Sequence, residues 1–509
     1  MDKDTVSYWN KTADKAFYPR LSKSMSADVL IIGGGITGMT CAYCLGLKGL
    51  SSVLIEAGGL CDGTTGNTTG KVTVQHGAAY SGLIKKHGLE TAREYCRSQT
   101  EALDFVKNTV QAEQIDCQLR ESTSCLYAAD ENDREAVEEE NVAARRAGLD
   151  AELNKNPWFP VPNIILSCVK NQAAVHPVRY VEALASAAVK KGTALYSGTK
   201  AIRVEDGDDI RVRCEDGIEI NAKHLVMATG YPFYDGPNLF FSKLYPKRSY
   251  GIAVKTKNEW PDGCYITAGK PTRSFRTHTE DGHSVLLVAG DGHVTGRGKE
   301  DMSVHFENLM QFAEKLAGVN GVLAMWSAQD YESPDLLPYI GRISDDSNIY
   351  VASGYRKWGL TNGTLAGNML SELITTGNCR YESLYSRTRP DFLSAPGTAI
   401  RGNVSSMAAL VKSKLEGAGS FEKLEIGEGR MIRFDGKKAG IYRNENDDVT
   451  ILDITCTHMG TELKFNAAEK TWDCPAHGGR FSTDGKLLEG PPKDPLQVLF
   501  EGKYDDLFK

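Results

Sequence analysis

The sequence predicts an α/β domain overlaid by an α+β layer, followed by a small all-β domain. Three observations carry that prediction. Asp28 to Glu56, DVLIIGGGITGMTCAYCLGLKGLSSVLIE, reads as strand, glycine turn, helix and strand. Residues 237 to 330 alternate polar and apolar in KRSYGIAVKT and HSVLLVAG, as half-buried strands do. Beyond a loose stretch at 393–419, GRMIRFDG, KKAGIYRNEND and DVTILDI alternate again with turn residues between them.

At 509 residues the chain exceeds one simple core, and its length suggests about three structural units. Its 41% hydrophobic and 25% charged residues are ordinary for a soluble globular protein. The formal charge is -7 and no basic stripe occurs, which argues against a nucleic-acid partner. No apolar run reaches membrane-spanning length, and MDKDTVSYWNK has no signal-peptide core, so a cytoplasmic location is expected. The twelve cysteines do not suggest an extracellular disulfide framework, and most read as small buried residues. Cys41 and Cys44 spell C-x-x-C in mid-helix, away from the N-terminus that would stabilise a thiolate, so packing is their reading.

Residues 1 to 26 are polar with a few aromatics, suited to wrapping the first domain. Val29–Ile32 is an apolar run typical of a buried parallel strand. Gly33, Gly35 and Gly38 follow at G-x-G-x-x-G spacing, the Rossmann-type arrangement. They serve a tight turn, close approach to a pyrophosphate, and close packing of helix on strand. The helix start at Ile36 and Thr37 offers free N–H groups and a positive dipole end to phosphates. Glu56 stands 23 residues after Gly33, where a carboxylate accepts hydrogen bonds from an adenosine ribose. A dinucleotide is therefore expected. The next stretch, AGGLCDGTTGNTTGKVTVQHG, includes Thr68, Thr69, Gly70 and Lys71 and could lay N–H and hydroxyl groups along the same cofactor.

From Tyr80 to Gly148 the pattern is helical, its charged run DENDREAVEEENVAARRAG reading as a solvated face. Val175–Gly192 reads as a turn and an amphipathic helix, with Pro177 near its start. Two strand-like runs, Lys200–Val204 and Ile210–Cys214, flank a GDD turn. His224–Pro232 is an apolar strand ending in a small-residue turn at Thr229 and Gly230, a second close approach to the nucleotide. After the strand-rich layer, Gly354, Gly359 and Gly363 surround YRKWGLTN, and a helix is expected from near Thr361, with Gly359 and Leu360 at its entry. Its N-terminal dipole would stabilise a reduced flavin ring.

IIGGGITG, Glu56, TTGNTTGK, VHPVRYVEAL, ATG and GYRKWGLTNGTLAG, in this order over about residues 26–380, resemble FAD-dependent oxidoreductases of the D-amino-acid oxidase type, which include glycine and sarcosine oxidases. The resemblance implies FAD, with the strand-rich layer roofing it to form the substrate pocket. Several members hold flavin covalently through a cysteine before the final glycine motif. SPDLLPYIGR has none, so non-covalent FAD is expected. Arg248, Tyr250, Arg356 and Lys357 lie where members place substrate contacts, and Arg356 best matches the carboxylate-binding arginine of glycine oxidase. An arginine fork suits a carboxylate.

The C-terminal strands carry CTHMG and CPAHGGRF: Cys456 and His458, fifteen residues, then Cys474 and His477. Two cysteines and two histidines can bind zinc. Zinc fingers that use both draw each like pair from one element, however, whereas here each loop gives one of each. The loops resemble those of Rieske [2Fe–2S] domains. By that resemblance Cys456 and Cys474 hold one iron and His458 and His477 the other, and neutral imidazoles raise the potential above that of an all-cysteine cluster. In many members each loop has a further cysteine, and the two form a disulfide. Thr461 and Ala476 stand there, which suggests the lower part of the family's range of about -150 to +300 mV.

By these resemblances residues 1–392 are an FAD-dependent oxidoreductase, an α/β FAD-binding Rossmann-type domain with an α+β substrate domain. Its FAD-binding segments are about 26–90, 165–235 and 331–380, and its substrate layer about 91–164 and 236–330. Residues 393–419 are a linker and 420–509 an all-β Rieske domain. The pairing implies a dehydrogenase that oxidises a small amine or N-methyl amino acid. FAD would empty one electron at a time through the cluster to a ferredoxin-like carrier or a quinone. Two alternatives stay open: a carrier-fed flavin reductase running electrons the other way, and a non-catalytic redox sensor.

Overall fold

The structure, a computed structural model, describes residues 5–154, 165–207, 209–234, 243–258, 262–280, 282–297, 302–387, 389, 409–410, 412–414, 417, 419 and 423–508. Most of the expected linker at 393–419 lies outside them.

The chain opens with a short helix, α1 (Tyr8–Thr12), whose Ser7 caps it by accepting from Asn10 N. Strand β1 (Met25–Ile32) runs through the glycine turn into α2 (Ile36–Leu47) and on to β2 (Ser52–Ile55). β1 is central in a sheet ordered 339–342, 349–353, 219–227, β1, β2 and 193–196, with strands 201–205 and 210–214 at its side. Parallel pairing aligns Ile32 with Ile55 and with Met227, and Met227 with Val351. Gly33, Glu56, Ala228 and the 352–354 turn therefore leave the sheet at one edge. Ligands of open parallel sheets bind outside the carboxyl ends of the strands, so this register gathers every glycine motif at one site.

The second sheet has nine strands, ordered 319–332, 245–256, 283–294, 273–280, 264–267, 120–128, 165–174 and 71–72, with 151–154 at its side. Because Lys71–Val72 belongs to it, the loop after Glu56 physically joins the two sheets. The 120–128 strand lies inside the stretch that reads as helical, between helices Leu89–Ala112 and Arg134–Ala147. RESTSCLYA is rich in hydroxylated residues and pairs with 165–174, a long-range contact that a local reading omits. Helix Ser303–Ala317 is likewise unexpected within the strand-rich layer, and it covers one face of that sheet.

Period-two alternation divides that sheet. Tyr250, Ile252, Val254, Leu286 and Val288 pack with Phe306 and Leu309 of the covering helix. Ala253, Val285, Leu287, Ala324 and Trp326 join the core of the nucleotide-binding domain. The C-terminal domain has two four-stranded antiparallel sheets, 429–434/437–443/448–452/498–503 and 464–466/471–473/480–482/487–489. Cys41 and Cys44 are buried in α2, and burial pushes both thiols up. Cys125 and Cys168 depart from the expectation of single buried cysteines. They face each other on paired strands and form a disulfide, while none of the other ten does.

Candidate functional site

At the nucleotide edge, Gly33 takes φ +115°, and a Cβ there would lie 2.4 Å from Ala228 O. A Cβ on Gly38 would lie 2.0 Å from Gly33 O, so only glycine allows α2 to rise this close to β1. No side chain caps α2 at Gly35. Of its first N–H groups Ile36 N meets Thr65 Oγ1 at 3.2 Å, and the helix start otherwise faces the strand edge as a phosphate site requires. The Glu56 carboxylate accepts Gly34 N at 2.6 Å and Gly58 N at 2.9 Å, and burial raises its pKa. Each oxygen keeps a second lone pair for a ribose hydroxyl. Thr37 Oγ1 lies 2.8 Å from Tyr355 OH, tying α2 to the last glycine motif. These residues fit a dinucleotide.

The loop that follows is held by its backbone. Trp9 Nε1 donates to Thr68 O at 2.6 Å, Arg276 Nε donates to Thr69 O at 2.5 Å, and Gly70 turns at φ +76° beside Val175 O. Lys71 corrects one expectation. Its ammonium, buried and lowered to about 8 by that burial, is committed to Tyr265 O at 2.9 Å and to Ser274, so it joins strands rather than facing the cofactor. Thr229 Oγ1 bonds Tyr231 O, Gly230 adopts φ +74°, and Ser353 Oγ donates to Gly230 O. Gly354 takes φ +82°, and the helix begins at Gly359, two residues before the expected Thr361, with no side-chain cap. Leu360 is buried in that first turn.

Three neighbours were not among the sequence candidates. His76 stacks on Trp358 (4.7 Å, 17°), contacts Tyr95 OH at 2.6 Å and Thr361 Oγ1 at 3.0 Å, and is lowered to about 3 by burial, hence neutral. It ends the glycine- and threonine-rich stretch, which was its only signal. The others are Asp330 and Ser249, described below.

Arg248 and Tyr250 prove to be on the wrong face for a substrate pocket. Both point to the side covered by helix 303–317 and the C-terminal domain. Arg248 is 2% exposed and its guanidinium donates to both oxygens of Glu469 and to Ser327. Tyr250 OH meets His293 Nε2 at 3.1 Å and its ring stacks on His305 at 4.6 Å. One residue along, Ser249 faces the other way with a buried hydroxyl that has no partner among the described residues.

Arg356 and Lys357 both adopt left-handed backbone, φ +52° and +73°, which side-chain-bearing residues rarely hold in succession without a functional reason. Arg356 N donates to Tyr331 O at 3.2 Å, and its guanidinium reaches Leu336 O at 3.4 Å. Lys357 meets solvent, yet enclosure by the surrounding walls lowers its pKa, as for a side chain lining a concavity. A Cβ on Gly292 would come 3.1 Å from Lys357 Nζ and 2.8 Å from Ser249 Oγ, which places these two groups together. Asp330 neighbours Lys357, accepts its N–H, and is pushed up to about 7 by burial against the pull of the ammonium.

In the C-terminal domain the two ligand loops are built alike. Cys456 N donates to Thr461 O and Gly460 N to Cys456 O; Cys474 N donates to Gly479 O and Gly478 N to Cys474 O. Gly460 and Gly478 turn at φ +71° and +76°. The result sets the Cys456 and Cys474 sulfurs together and the His458 and His477 rings together, centroids 5.1 Å apart. The hydrogen bond between the two sulfurs raises the Cys456 thiol and lowers that of Cys474. N–H groups of His458 and Met459 point at the Cys456 sulfur, and those of Ala476 and His477, with the Thr461 hydroxyl, at the Cys474 sulfur. Thiolates so bonded suit a cluster that gains negative charge on reduction. Among the described residues no three His, Cys, Asp or Glu side chains converge on one point, as a mononuclear zinc site requires. Two adjacent pairs fit a diiron cluster. Pro492 packs within 2.5 Å of where a Gly479 Cβ would be, so the proline loop EGPPKDP at 489–495 lies against the second ligand loop.

Residues 28–373 match the FAD dependent oxidoreductase family and residues 418–499 the Rieske [2Fe-2S] domain. A Bacillus subtilis protein named as a Rieske 2Fe-2S iron-sulfur protein, YhfW, is 38% identical over 497 residues, 97% of each chain. Gamma-glutamylputrescine oxidoreductase of Escherichia coli is 24% identical over 80% of this chain and 97% of its own. The glycine oxidase structure from Geobacillus kaustophilus shares the fold at TM-score 0.61 and 18% identity, over 72% of this chain and 99% of that one. No helix among the described residues is long and apolar enough to cross a membrane. The chain belongs to the FAD dependent oxidoreductase family of the D-amino-acid oxidase type, and it joins to that FAD-binding fold a Rieske domain of the kind that binds a [2Fe–2S] cluster and transfers electrons.

Proposed function

We propose that the protein is a cytoplasmic dehydrogenase that oxidises a small amine or N-methyl amino acid and passes the electrons singly to an external carrier, a ferredoxin-like protein or a quinone. One observation carries the reading. Adjacent residues of strand 319–332 point to opposite sides of the sheet: Asp330 turns to Lys357, near Ser249, and Gln329 donates to Gly478 O in the cluster loop at 2.9 Å. When bound, the flavin takes a hydride from the substrate and the iron pair carries electrons one at a time.

The chain's own residues do the rest. Gly33, Gly35, Ile36, Thr37, Gly38 and Glu56 would hold the pyrophosphate and ribose. Thr68, Thr69, Gly70, Thr229, Gly230, Gly354, Gly359, Leu360 and Thr361 would present backbone and hydroxyl groups to the rest of a non-covalently held FAD. Cys456, His458, Cys474 and His477 would ligate the cluster. Lys357 and Ser249 would bind the substrate carboxylate, with Arg356 as a further cation at the same wall. Asp330, poised near neutrality, would take the proton from the substrate ammonium, because only the neutral amine gives up hydride.

Anaerobic mixing with a panel of amines and N-methyl amino acids tests the proposal. The expected result is bleaching of the flavin followed by reduction of the cluster. Bleaching only by reduced ferredoxin would reverse the direction of flow, and no turnover with any donor would leave a redox sensor.

A further inference from the structure

A domain that relays electrons can act while moving or while fixed, and its contacts with the oxidoreductase unit bear on the choice. The C-terminal domain meets strands 245–256 and 319–332 through a buried ionic cluster. Arg248 pairs with Glu469 and lies 3.5 Å from Glu489, while Arg480 pairs with Glu489 at 3.0 Å, Asp473 at 3.1 Å and Glu469 at 3.3 Å. Two guanidiniums thus meet three carboxylates, and only Glu489 has appreciable access to solvent.

Beside that cluster, three side chains of the oxidoreductase unit grip the backbone of the C-terminal loops. Gln329 Nε2 donates to Gly478 O at 2.9 Å, Arg297 Nε donates to Pro475 O at 2.6 Å, and Tyr331 OH donates to Gly490 O at 3.2 Å. Gln329 is a hub: its own carbonyl accepts from Thr64 Oγ1 at 3.0 Å, and its amide oxygen accepts from Thr295 Oγ1 at 2.7 Å. Glycines bring the two backbones together. A Cβ on Gly296 would lie 2.6 Å from Pro475 N, and one on Gly478 would lie 2.4 Å from Pro246 Cβ. The grips fall on the Cys474–Gly478 loop and the proline loop, whereas the Cys456–Gly460 loop opens to solvent at Thr457 and at Met459, which is 50% exposed.

We propose that the Rieske domain is permanently docked, with its Cys474–Gly478 loop held on the substrate sheet by Gln329, Arg297 and the Arg248–Glu469–Arg480 cluster in both oxidation states, so that Gln329 is a positioning residue joining the loop at Thr64 to the cluster loop. The inference rests on the relay proposed above. A swinging domain would have to strip charged groups from a buried cluster at every turnover.

The holoprotein can be tested without knowing its substrate. Under anaerobic conditions, flash photoreduction of the flavin with deazaflavin and EDTA starts transfer, and the cluster is followed by its visible band and by paramagnetic resonance. Hydrogen exchange of peptides covering 246–251 and 474–479 is compared in the oxidised and dithionite-reduced protein. A docked domain predicts transfer independent of glycerol viscosity and equal exchange in both states. It also predicts at least tenfold slower or viscosity-dependent transfer in Glu469→Gln or, should that variant fold poorly, in Gln329→Leu. A native rate falling in proportion to viscosity, or exchange at these peptides rising on reduction, would overturn docking. If flavin electrons never reach a cluster that dithionite reduces, the relay fails, while the exchange comparison still decides whether the domain is docked.

Discussion

Replacing Glu469 by Gln removes the charge that holds Arg248. That guanidinium is buried, and its remaining carboxylate, Glu489, stands 3.5 Å away. Breaking a buried pair from one side costs about 3–5 kcal/mol. The lower figure applies here, since Asp473 and Glu489 still balance the two arginines and the Gln carbonyl can accept one bond. The pKa gives a similar size. Arg248 and Arg480 hold Glu469 at about 2 against 4.5, overcoming its burial, a difference of about 3 kcal/mol. For a depressed carboxylate the stabilisation is complete above its ordinary value and is lost as pH falls from 4.5 through about 2. Thermal unfolding followed by cluster circular dichroism should therefore show the C-terminal domain of Glu469→Gln melting about 10–20 °C below native. The flavin signal should move far less. Below about pH 3 the difference should shrink. A shift of under about 3 °C at pH 7, or one that persists undiminished in acid, would refute the assignment of Glu469 as the charge that holds the domains together.

Three further outcomes are expected. Lys357→Met should raise KM for a carboxylated substrate roughly tenfold to a hundredfold, the worth of one charge-assisted hydrogen bond, and more than Arg356→Ala, whose guanidinium already has Leu336 O; steady-state kinetics with paired carboxylate and amide substrates checks this. In stopped-flow measurements, flavin reduction should quicken as pH rises through about 7, where Asp330 becomes a base, and Asp330→Asn should lose that limb of the profile. Thr461→Val removes a hydroxyl donor from the Cys474 sulfur, and so should lower the cluster potential by on the order of 40 mV, read by redox titration.

Much of the site was legible because its signals are local. Gly33, Gly38 and Glu56 announce a turn, a close packing and a carboxylate within one strand–helix–strand unit, and the cysteine–histidine loops are complete in a few residues each. The register that gathers Gly33, Glu56, Ala228 and Gly354 at one sheet edge follows from buried apolar strands of the expected kind. The substrate face was harder to read. KRSY shows that Arg248 and Tyr250 share a side of a strand, but not which side meets the flavin. That depends on helix Ser303–Ala317 and on Glu469, far away in sequence. Asp330 and Ser249 carry no motif, and their significance comes from burial and from Lys357 across the chain. The 120–128 strand was hidden for a similar reason, since its pairing with 165–174 overrides a weak local pattern.

The central claim is that two-electron and one-electron chemistry occupy one chain and communicate. The most direct measurement is paramagnetic resonance of purified, anaerobic protein, analysed beforehand for flavin, iron, sulfide and zinc, after addition of an amine that bleaches the flavin. One flavin, two irons and two sulfides per chain are expected, with the signal of a reduced histidine-ligated [2Fe–2S] centre growing as the flavin reoxidises. Stoichiometric zinc without iron or sulfide, or a cluster that stays oxidised beside fully reduced flavin, would contradict it.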